Sequence, residues 1–307
     1  MMQFEDKRTA SGLARPTGYH GMLARGADEP DFAANGCVLD YAGNAGNLNR
    51  AMGEQLRLRY QPQLDMHGGR IVGAEALPQW TRAASEAASH GTASALGNDI
   101  SLEYSAAEWA VREACLNLRS ISRAGLPALR TTLRLSARQI ADPRLPGCLR
   151  ESLTEAGVQP GQIEFGIGEN AILSNDPEVA SALRKLADAG AGIAIRDFGS
   201  THSKLSYPTG FPVDAIWIDC PFFWRFARGG DAAEIVSAIL SLAEKLKLNV
   251  VAWGVECASQ MTMLYDEGCN VMQGSLLCRP LQISPFTALM KQLGNSQPTV
   301  AGGVMHA

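Results

Sequence analysis

The sequence lacks any apolar run long enough to cross a bilayer. A membrane-spanning helix needs roughly 18 or more consecutive apolar residues, and no segment of the 307 residues approaches that length. The charged residues at the amino terminus are not followed by the apolar stretch that a secretion signal requires. We therefore expect a cytoplasmic protein without a membrane anchor.

Paired cysteines are also missing. The chain has seven cysteines, which is an odd number, and no two of them form a CxxC motif. Single, scattered cysteines are typical of reduced intracellular proteins rather than of disulfide frameworks or zinc sites. We expect most of them to be buried thiols, because an unpaired cysteine behaves as a small apolar residue.

The chain has no excess of basic residues. It contains 27 lysines and arginines against 31 aspartates and glutamates, which gives a formal net charge of -4. General binding to nucleic acids depends on a basic surface that neutralises phosphates. That class of function is therefore excluded.

What the sequence does contain is an alternation of β-rich runs and helix-length segments. The predicted strands are residues 56–61, 71–77, 131–135, 163–167, 192–195, 215–218, 249–252 and 271–273. The predicted helices are residues 103–122, 144–156, 177–189, 232–246, 259–266 and 285–292. Eight strands that are mostly separated by helices predict an α/β fold, a TIM-like (β/α)8 barrel. The first two strands are joined by too few residues for a helical crossover, so they should form an antiparallel pair.

The composition divides the chain into three parts. Residues 1–45 are rich in glycine, alanine, aspartate and arginine and lack periodicity, which indicates a mostly disordered leader. Residues 46–293 form the predicted barrel domain, with an exposed loop expected at 83–98. Residues 294–307 are expected to be a flexible tail.

A series of short blocks between residues 56 and 289 resembles one known family. The blocks are Tyr60-Gln61-Pro62, Glu75-Ala76-Leu77, Leu135-Ser136-Ala137-Arg138-Gln139, Asp197-Phe198-Gly199, Leu205-Ser206-Tyr207, Pro212-Val213-Asp214, Ile218-Asp219, Gly254-Val255-Glu256, Gln273-Gly274 and Arg279-Pro280. In this order they resemble EAL domains, bacterial phosphodiesterases that linearise cyclic di-GMP with two metal ions. The resemblance implies a barrel with one reversed strand and functional side chains at the carboxyl-terminal ends of the strands.

Several positions where this resemblance places metal ligands or catalytic groups hold other residues. Glu75, Asp197 and Glu256 remain acidic. The replacements are Arg134 for an asparagine, Gly166 for a glutamate, Arg196 for an aspartate, Trp217 for a lysine and Trp253 for a glutamate. Two metal ions about 3.5–4 Å apart need several converging carboxylates. A guanidinium about 4 Å from a divalent ion costs on the order of 8 kcal/mol at an effective dielectric of about 20. We therefore predict a degenerate site with no metal and no cofactor, and a chain that is not an enzyme.

The arginines allow two interpretations, and the tryptophans also allow two. Arg196 either pairs with a remaining carboxylate and stands in for the lost cation, or joins Arg134 as a clamp for phosphate. Trp217 and Trp253 either fill the volume left by metals and substrate or stack on a guanine base.

The sequence thus predicts an inactive EAL-like regulator of motility or biofilm formation that acts by contacting another regulatory protein. The candidate interface is Phe222, Phe223, Trp224 and Phe226, which equally suits a homodimer. The alternative is a receptor that binds cyclic di-GMP without hydrolysing it. Its candidate ligand-binding residues are Glu75, Gln79, Arg134, Arg196, Asp197, Glu256 and Gln273. Gln79 stands where such receptors commonly carry a phosphate-binding arginine, so we expect cyclic di-GMP to bind weakly or not at all.

Overall fold

The computed structural model describes residues 56–80, 100–173, 176–199, 211–221 and 231–295. All of these residues belong to one compact unit. The predicted leader at 1–45, the predicted loop at 83–98 and the tail from 296 onward lie outside the described residues. The part of the tail at 294–295 belongs instead to the last helix.

The eight predicted strands are confirmed, and they close into a barrel in the order β1 to β8. The strands are β1 (Leu56–Asp65), β2 (Arg70–Trp80), β3 (Arg130–Arg134), β4 (Ile163–Gly168), β5 (Gly192–Phe198), β6 (Ala215–Asp219), β7 (Asn249–Trp253) and β8 (Val271–Met272). β1 runs antiparallel to both of its neighbours, β2 and β8, whereas all other neighbouring strands are parallel. The expected barrel with one reversed strand is therefore correct.

The six predicted helices are also present, with boundaries within a few residues of those expected. The helices are α1 (Ile100–Arg123), α2 (Ala137–Ile140), α3 (Leu145–Ala156), α4 (Glu169–Leu173), α5 (Pro177–Asp188), α6 (Asp231–Leu246), α7 (Ala258–Asp266) and α8 (Ile283–Asn295). Within the described ranges, no helix is long and apolar enough to span a bilayer.

The short helices α2 and α4 were not predicted. α2 begins with a capping box, in which the Ser136 hydroxyl accepts the backbone N–H of Gln139 at 3.2 Å. The Gln139 side chain in turn accepts the backbone N–H of Ser136 at 2.8 Å. The Ser-x-x-Gln spacing is a known start signal, but a four-residue helix has too little apolar periodicity to support it.

Alternation along the strands separates two layers of side chains. In β4 the buried Ile163, Phe165 and Ile167 alternate with Glu164 and Gly166. In the register of β3 and β4, Glu164 and Gly166 lie opposite the β3 residues that share their face of the sheet. The same face carries a cluster of Ala194, Ala215, Trp217 and Val251. Successive residues of a strand point to opposite faces. A polar residue at an inward-facing position of β4 or β5 therefore lies directly in the barrel interior.

Five of the six described cysteines are buried, and none of the six forms a disulfide. Burial raises the pKa of Cys115 and of Cys269 to about 12. These thiols therefore remain protonated at neutral pH, which confirms the expectation that most of the cysteines pack as apolar residues.

Glu164 is an ionisable group in the barrel interior, where only 2% of it is exposed. Its Oε1 accepts the Thr132 hydroxyl at 2.7 Å, and its Oε2 lies 3.5 Å from Nη1 of Arg130. Burial raises the pKa of Glu164 above its ordinary value of 4.5, although Thr132 and Arg130 act in the opposite direction. The folded protein therefore holds a proton on Glu164 over a pH range in which the unfolded chain has released it.

We expect Glu164→Gln to remove a component of the pH dependence of stability. Above pH 4.5 the native state binds more protons at this site than the unfolded state, so the contribution of Glu164 to the free energy of unfolding falls as pH rises through its native pKa. The stability of the wild type relative to the variant should thus decrease with increasing pH in that window. Denaturant unfolding of both proteins across the acidic and neutral range measures this difference. Parallel curves would contradict the raised pKa.

Candidate functional site

The side chains singled out from the sequence converge at one end of the barrel. Arg134 is the last residue of β3 and Trp253 the last of β7. Arg196 and Asp197 lie near the end of β5, and Gln273 directly follows β8. These are the carboxyl-terminal ends of parallel strands, where barrel enzymes place their functional groups. We call this end the rim.

A buried ion pair between Glu75 and Arg196 forms the centre of the rim. Nη1 of Arg196 donates to Oε1 of Glu75 at 2.6 Å, and the two side chains are 1% and 4% exposed. The other carboxylate oxygen, Oε2, accepts Nε2 of Gln273 at 2.6 Å. Both oxygens of Glu75 are therefore engaged inside the protein. This contact confirms the interpretation in which Arg196 pairs with a remaining carboxylate.

A chain of glutamines fixes the orientation of Gln273. Its Nε2 also donates to Oε1 of Gln61 at 3.0 Å, and its Oε1 accepts Nε2 of Gln63 at 3.4 Å. Gln61 itself donates to the backbone carbonyl of Cys278 at 3.1 Å. Gln61 and Gln63 were not predicted as site residues. Their spacing could have indicated this role, because residues two apart on a strand share one face and Gln61 pairs in register with Glu75.

Two tryptophans enclose the guanidinium of Arg196. Its central carbon lies 4.3 Å from the ring centre of Trp217 and 5.0 Å from that of Trp253. Burial lowers the pKa of Arg196, and the neighbouring Glu75 opposes that effect. Trp217 is 0% exposed, so it packs against Arg196 and no guanine base can reach it. Cation–π contacts of this kind stabilise by about 0.5–2 kcal/mol each, the upper values applying to desolvated cations.

The absence of a side chain at Gly166 leaves the space that the Arg196 side chain occupies. A Cβ atom at position 166 would lie 2.7 Å from Cδ and 3.1 Å from Cγ of Arg196, closer than packed carbon atoms tolerate. The aliphatic part of Arg196 therefore passes over the glycine. The present position of Arg196 thus depends on the absence of a side chain at position 166.

A second ion pair, between Arg134 and Asp197, lies beside the first and closer to solvent. Nη2 of Arg134 is 3.1 Å from Oδ2 of Asp197, and the two side chains are 18% and 27% exposed. Asp197 has a positive φ of 58° and lies in a register irregularity between β5 and β6. Such a bulge redirects side chains. It explains why the adjacent residues Arg196 and Asp197 both find partners in the site, which strict alternation would forbid.

The remaining candidates are more peripheral. Gln79 is partly exposed in β2, and Glu256 is exposed just before α7. The proposed interface residues Phe222, Phe223, Trp224 and Phe226 lie outside the described residues.

The side chains at the rim do not form a suitable set of ligands for a pair of divalent metal ions. Both oxygens of Glu75 are hydrogen-bonded, and a guanidinium lies against one of them. Nowhere in the described ranges do three or more His, Cys, Asp or Glu side chains come together in a way that could hold a metal ion. A two-metal site requires several carboxylates around a shared centre.

The sequence that forms this barrel and its rim matches a known family model. The family model described as EAL domain covers residues 45–280. The chain belongs to the EAL domain family.

Curated relatives and a solved structure support this assignment. The cyclic di-GMP phosphodiesterase NbdA of Pseudomonas aeruginosa is 31% identical over 78% of this chain. The bifunctional diguanylate cyclase/cyclic di-GMP phosphodiesterase MucR of the same species is 33% identical over 76%. This chain spans only 30% and 34% of their lengths. The structure of the PaMucR phosphodiesterase in complex with c-di-GMP superposes with a TM-score of 0.66 and 31% identity, covering 78% of this chain and 98% of that one.

These relatives overturn one prediction. We inferred from the replaced ligands that this EAL domain is not an enzyme, but NbdA and MucR, similar over three-quarters of the chain, are named cyclic di-GMP phosphodiesterases. That prediction is therefore wrong. It rested on a few ligand positions, whereas the similarity extends through the whole barrel. The assignment of this chain to a cyclic di-GMP signalling family, and the predicted barrel fold, are unaffected.

Proposed function

We propose that this EAL domain acts in cyclic di-GMP signalling by binding the cyclic dinucleotide at the rim of its barrel. The structure of the related PaMucR phosphodiesterase contains c-di-GMP, and this chain superposes on that structure with a TM-score of 0.66. Cyclic di-GMP carries two phosphates and two guanine bases. A site for it needs a cation that solvent can reach and a flat apolar surface beside it.

The observation that carries this proposal is the partly exposed Arg134–Asp197 pair. Arg196 is too deeply buried to contact a ligand, but Arg134 is 18% exposed and lies at the end of β3. Its guanidinium has donors suited to phosphate oxygens. Asp197 competes for the same donors and repels an incoming phosphate. Trp253, which is partly exposed, supplies an aromatic surface at the end of β7 on the same rim.

Arg134→Ala should weaken cyclic di-GMP binding by at least about tenfold, which is the scale of one lost charge-assisted hydrogen bond. Isothermal titration calorimetry measures the change. Arg138→Ala is the matched control, because Arg138 is exposed on α2 only four residues away and should leave affinity unchanged. Equal losses in both variants would show a general charge effect and not a contact at the rim.

Asp197→Asn should change affinity in the opposite direction. It removes the carboxylate that holds Arg134, so the guanidinium becomes available and one repulsive charge disappears. Partly exposed ion pairs stabilise by up to about 1 kcal/mol, so we expect binding up to about fivefold tighter. Opposite signs for the two variants distinguish a phosphate contact by Arg134 from a loss of folding, which would weaken binding in both.

We also propose that this domain has a regulatory protein partner, as expected for control of motility or biofilm formation. The sequence feature that favours it is the aromatic tract Phe222, Phe223, Trp224 and Phe226, which begins three positions after the last residue of β6. Aromatic residues concentrate the binding energy of interfaces. A second copy of the chain is the occupant that can be tested first. Sedimentation velocity over a concentration series should show a dimer that Trp224→Ser weakens, and a monomer at all concentrations would exclude a second copy of the chain as the partner.

A further inference from the structure

We infer that Arg196 is a built-in cation that takes the place of a bound divalent metal ion beside Glu75. This inference concerns the interior of the rim and does not depend on whether cyclic di-GMP binds. It follows from three features of the structure that act together: the engagement of Glu75, the packing of Arg196 and the absence of a side chain at Gly166.

The first feature is the complete engagement of Glu75. A metal ligand must offer a carboxylate lone pair to the ion. Here Oε1 accepts Arg196 and Oε2 accepts Gln273, each at 2.6 Å. With both side chains nearly unexposed, neither partner can be exchanged for water or an ion without opening the barrel. The negative charge of Glu75 is therefore compensated by the protein itself.

The second feature is that the cation is held in place from the sides. Trp217 and Trp253 lie at 4.3 Å and 5.0 Å from the guanidinium carbon. Aromatic faces attract a cation but cannot ligate a hard metal ion, which takes oxygen ligands. This enclosure suits a guanidinium and is unsuitable for Mg²⁺ or Mn²⁺.

The third feature is the fit between Arg196 and Gly166. The aliphatic part of the arginine occupies the space into which any side chain at 166 would project, with a Cβ–Cδ distance of only 2.7 Å. A side chain at 166 therefore requires Arg196 to leave its present position. Introducing metal-binding carboxylates at this point requires changing both residues together.

A Mn²⁺ titration followed by electron paramagnetic resonance tests the inference, because free Mn²⁺ gives a signal that bound Mn²⁺ loses. The proteins are the wild type, Glu75→Gln, and the double variant Arg196→Asp with Gly166→Glu, with Arg123→Met as a control at an exposed arginine. The wild type should bind no Mn²⁺ through Glu75 at up to about 1 mM, the weak end of protein sites for hard divalent ions. The double variant, with four carboxylates at the rim, should bind at least about tenfold more tightly than that limit.

Two results would overturn the inference. One is Mn²⁺ binding by the wild type that disappears in Glu75→Gln. The other is a folded double variant that gains no Mn²⁺ affinity. If the double variant does not fold, Arg196→Asn takes its place, because it removes the cation and leaves Gly166 unchanged. Circular dichroism establishes folding before each titration.

Discussion

Replacing Arg196 with methionine is expected to destabilise the barrel by about 3–5 kcal/mol, the range measured when one partner of a buried ion pair is removed. Methionine keeps most of the aliphatic volume that passes over Gly166, so the loss comes from charge and not from a cavity. Glu75, only 4% exposed, would remain inside the protein without its cation. The stacking of the guanidinium between Trp217 and Trp253 would be lost as well. Urea unfolding of the wild type and the variant measures the difference.

Three further variants separate charge from packing. Arg196→Lys keeps a positive charge but not the planar guanidinium, so it should recover part of the stability. Adding Glu75→Gln to Arg196→Met should recover more, since no buried charge is then left unpaired. Arg123→Met, at an exposed position of α1, should change stability by less than about 0.5 kcal/mol. An Arg196→Met protein as stable as the wild type would refute the importance of the pair.

Trp217→Ala should be about equally destabilising, by about 3–5 kcal/mol. Trp217 is among the largest fully buried side chains of the described residues, and its removal leaves a cavity beside Arg196 and within the apolar cluster of Ala194, Ala215 and Val251. The variant also removes the closer of the two aromatic faces that contact the guanidinium. Thermal and denaturant unfolding both report the loss.

Two comparisons test the reason for this effect. Trp217→Phe keeps an aromatic face and part of the volume, so it should lose clearly less stability than Trp217→Ala. Trp253→Ala should also lose less, because Trp253 is only partly buried and lies farther from the guanidinium. Equal losses for Trp217→Ala and Trp253→Ala would mean that burial at position 217 does not determine stability.

The sequence predicts the barrel well because strand signals are short and local. Each strand is a β-rich run of the right length. The nine-residue link between the first two runs is shorter than the roughly twelve residues that a crossover needs, so it already requires an antiparallel pair. α2 and α4 were missed because helices of four or five residues have too little periodicity to be distinguished from loops.

The site is only partly predictable in this way. The sequence identifies the residues at the strand ends but does not decide which of several carboxylates pairs with Arg196. The bulge near Asp197 decides it, because it turns Asp197 towards Arg134 and leaves Arg196 for Glu75. A bulge depends on the pairing of two strands, which a single sequence does not display. The mutual dependence of Gly166 and Arg196 likewise appears only when the strands are adjacent.

The most direct measurement is a calorimetric titration of cyclic di-GMP into the protein in excess EDTA, repeated in Mg²⁺. A rim whose cation is Arg196 and whose phosphate contact is Arg134 should bind in the micromolar range with the same affinity in both buffers. Binding that appears only with Mg²⁺ would contradict the role of Arg196 as the cation of the site. No binding in either buffer would contradict recognition of the dinucleotide at the rim.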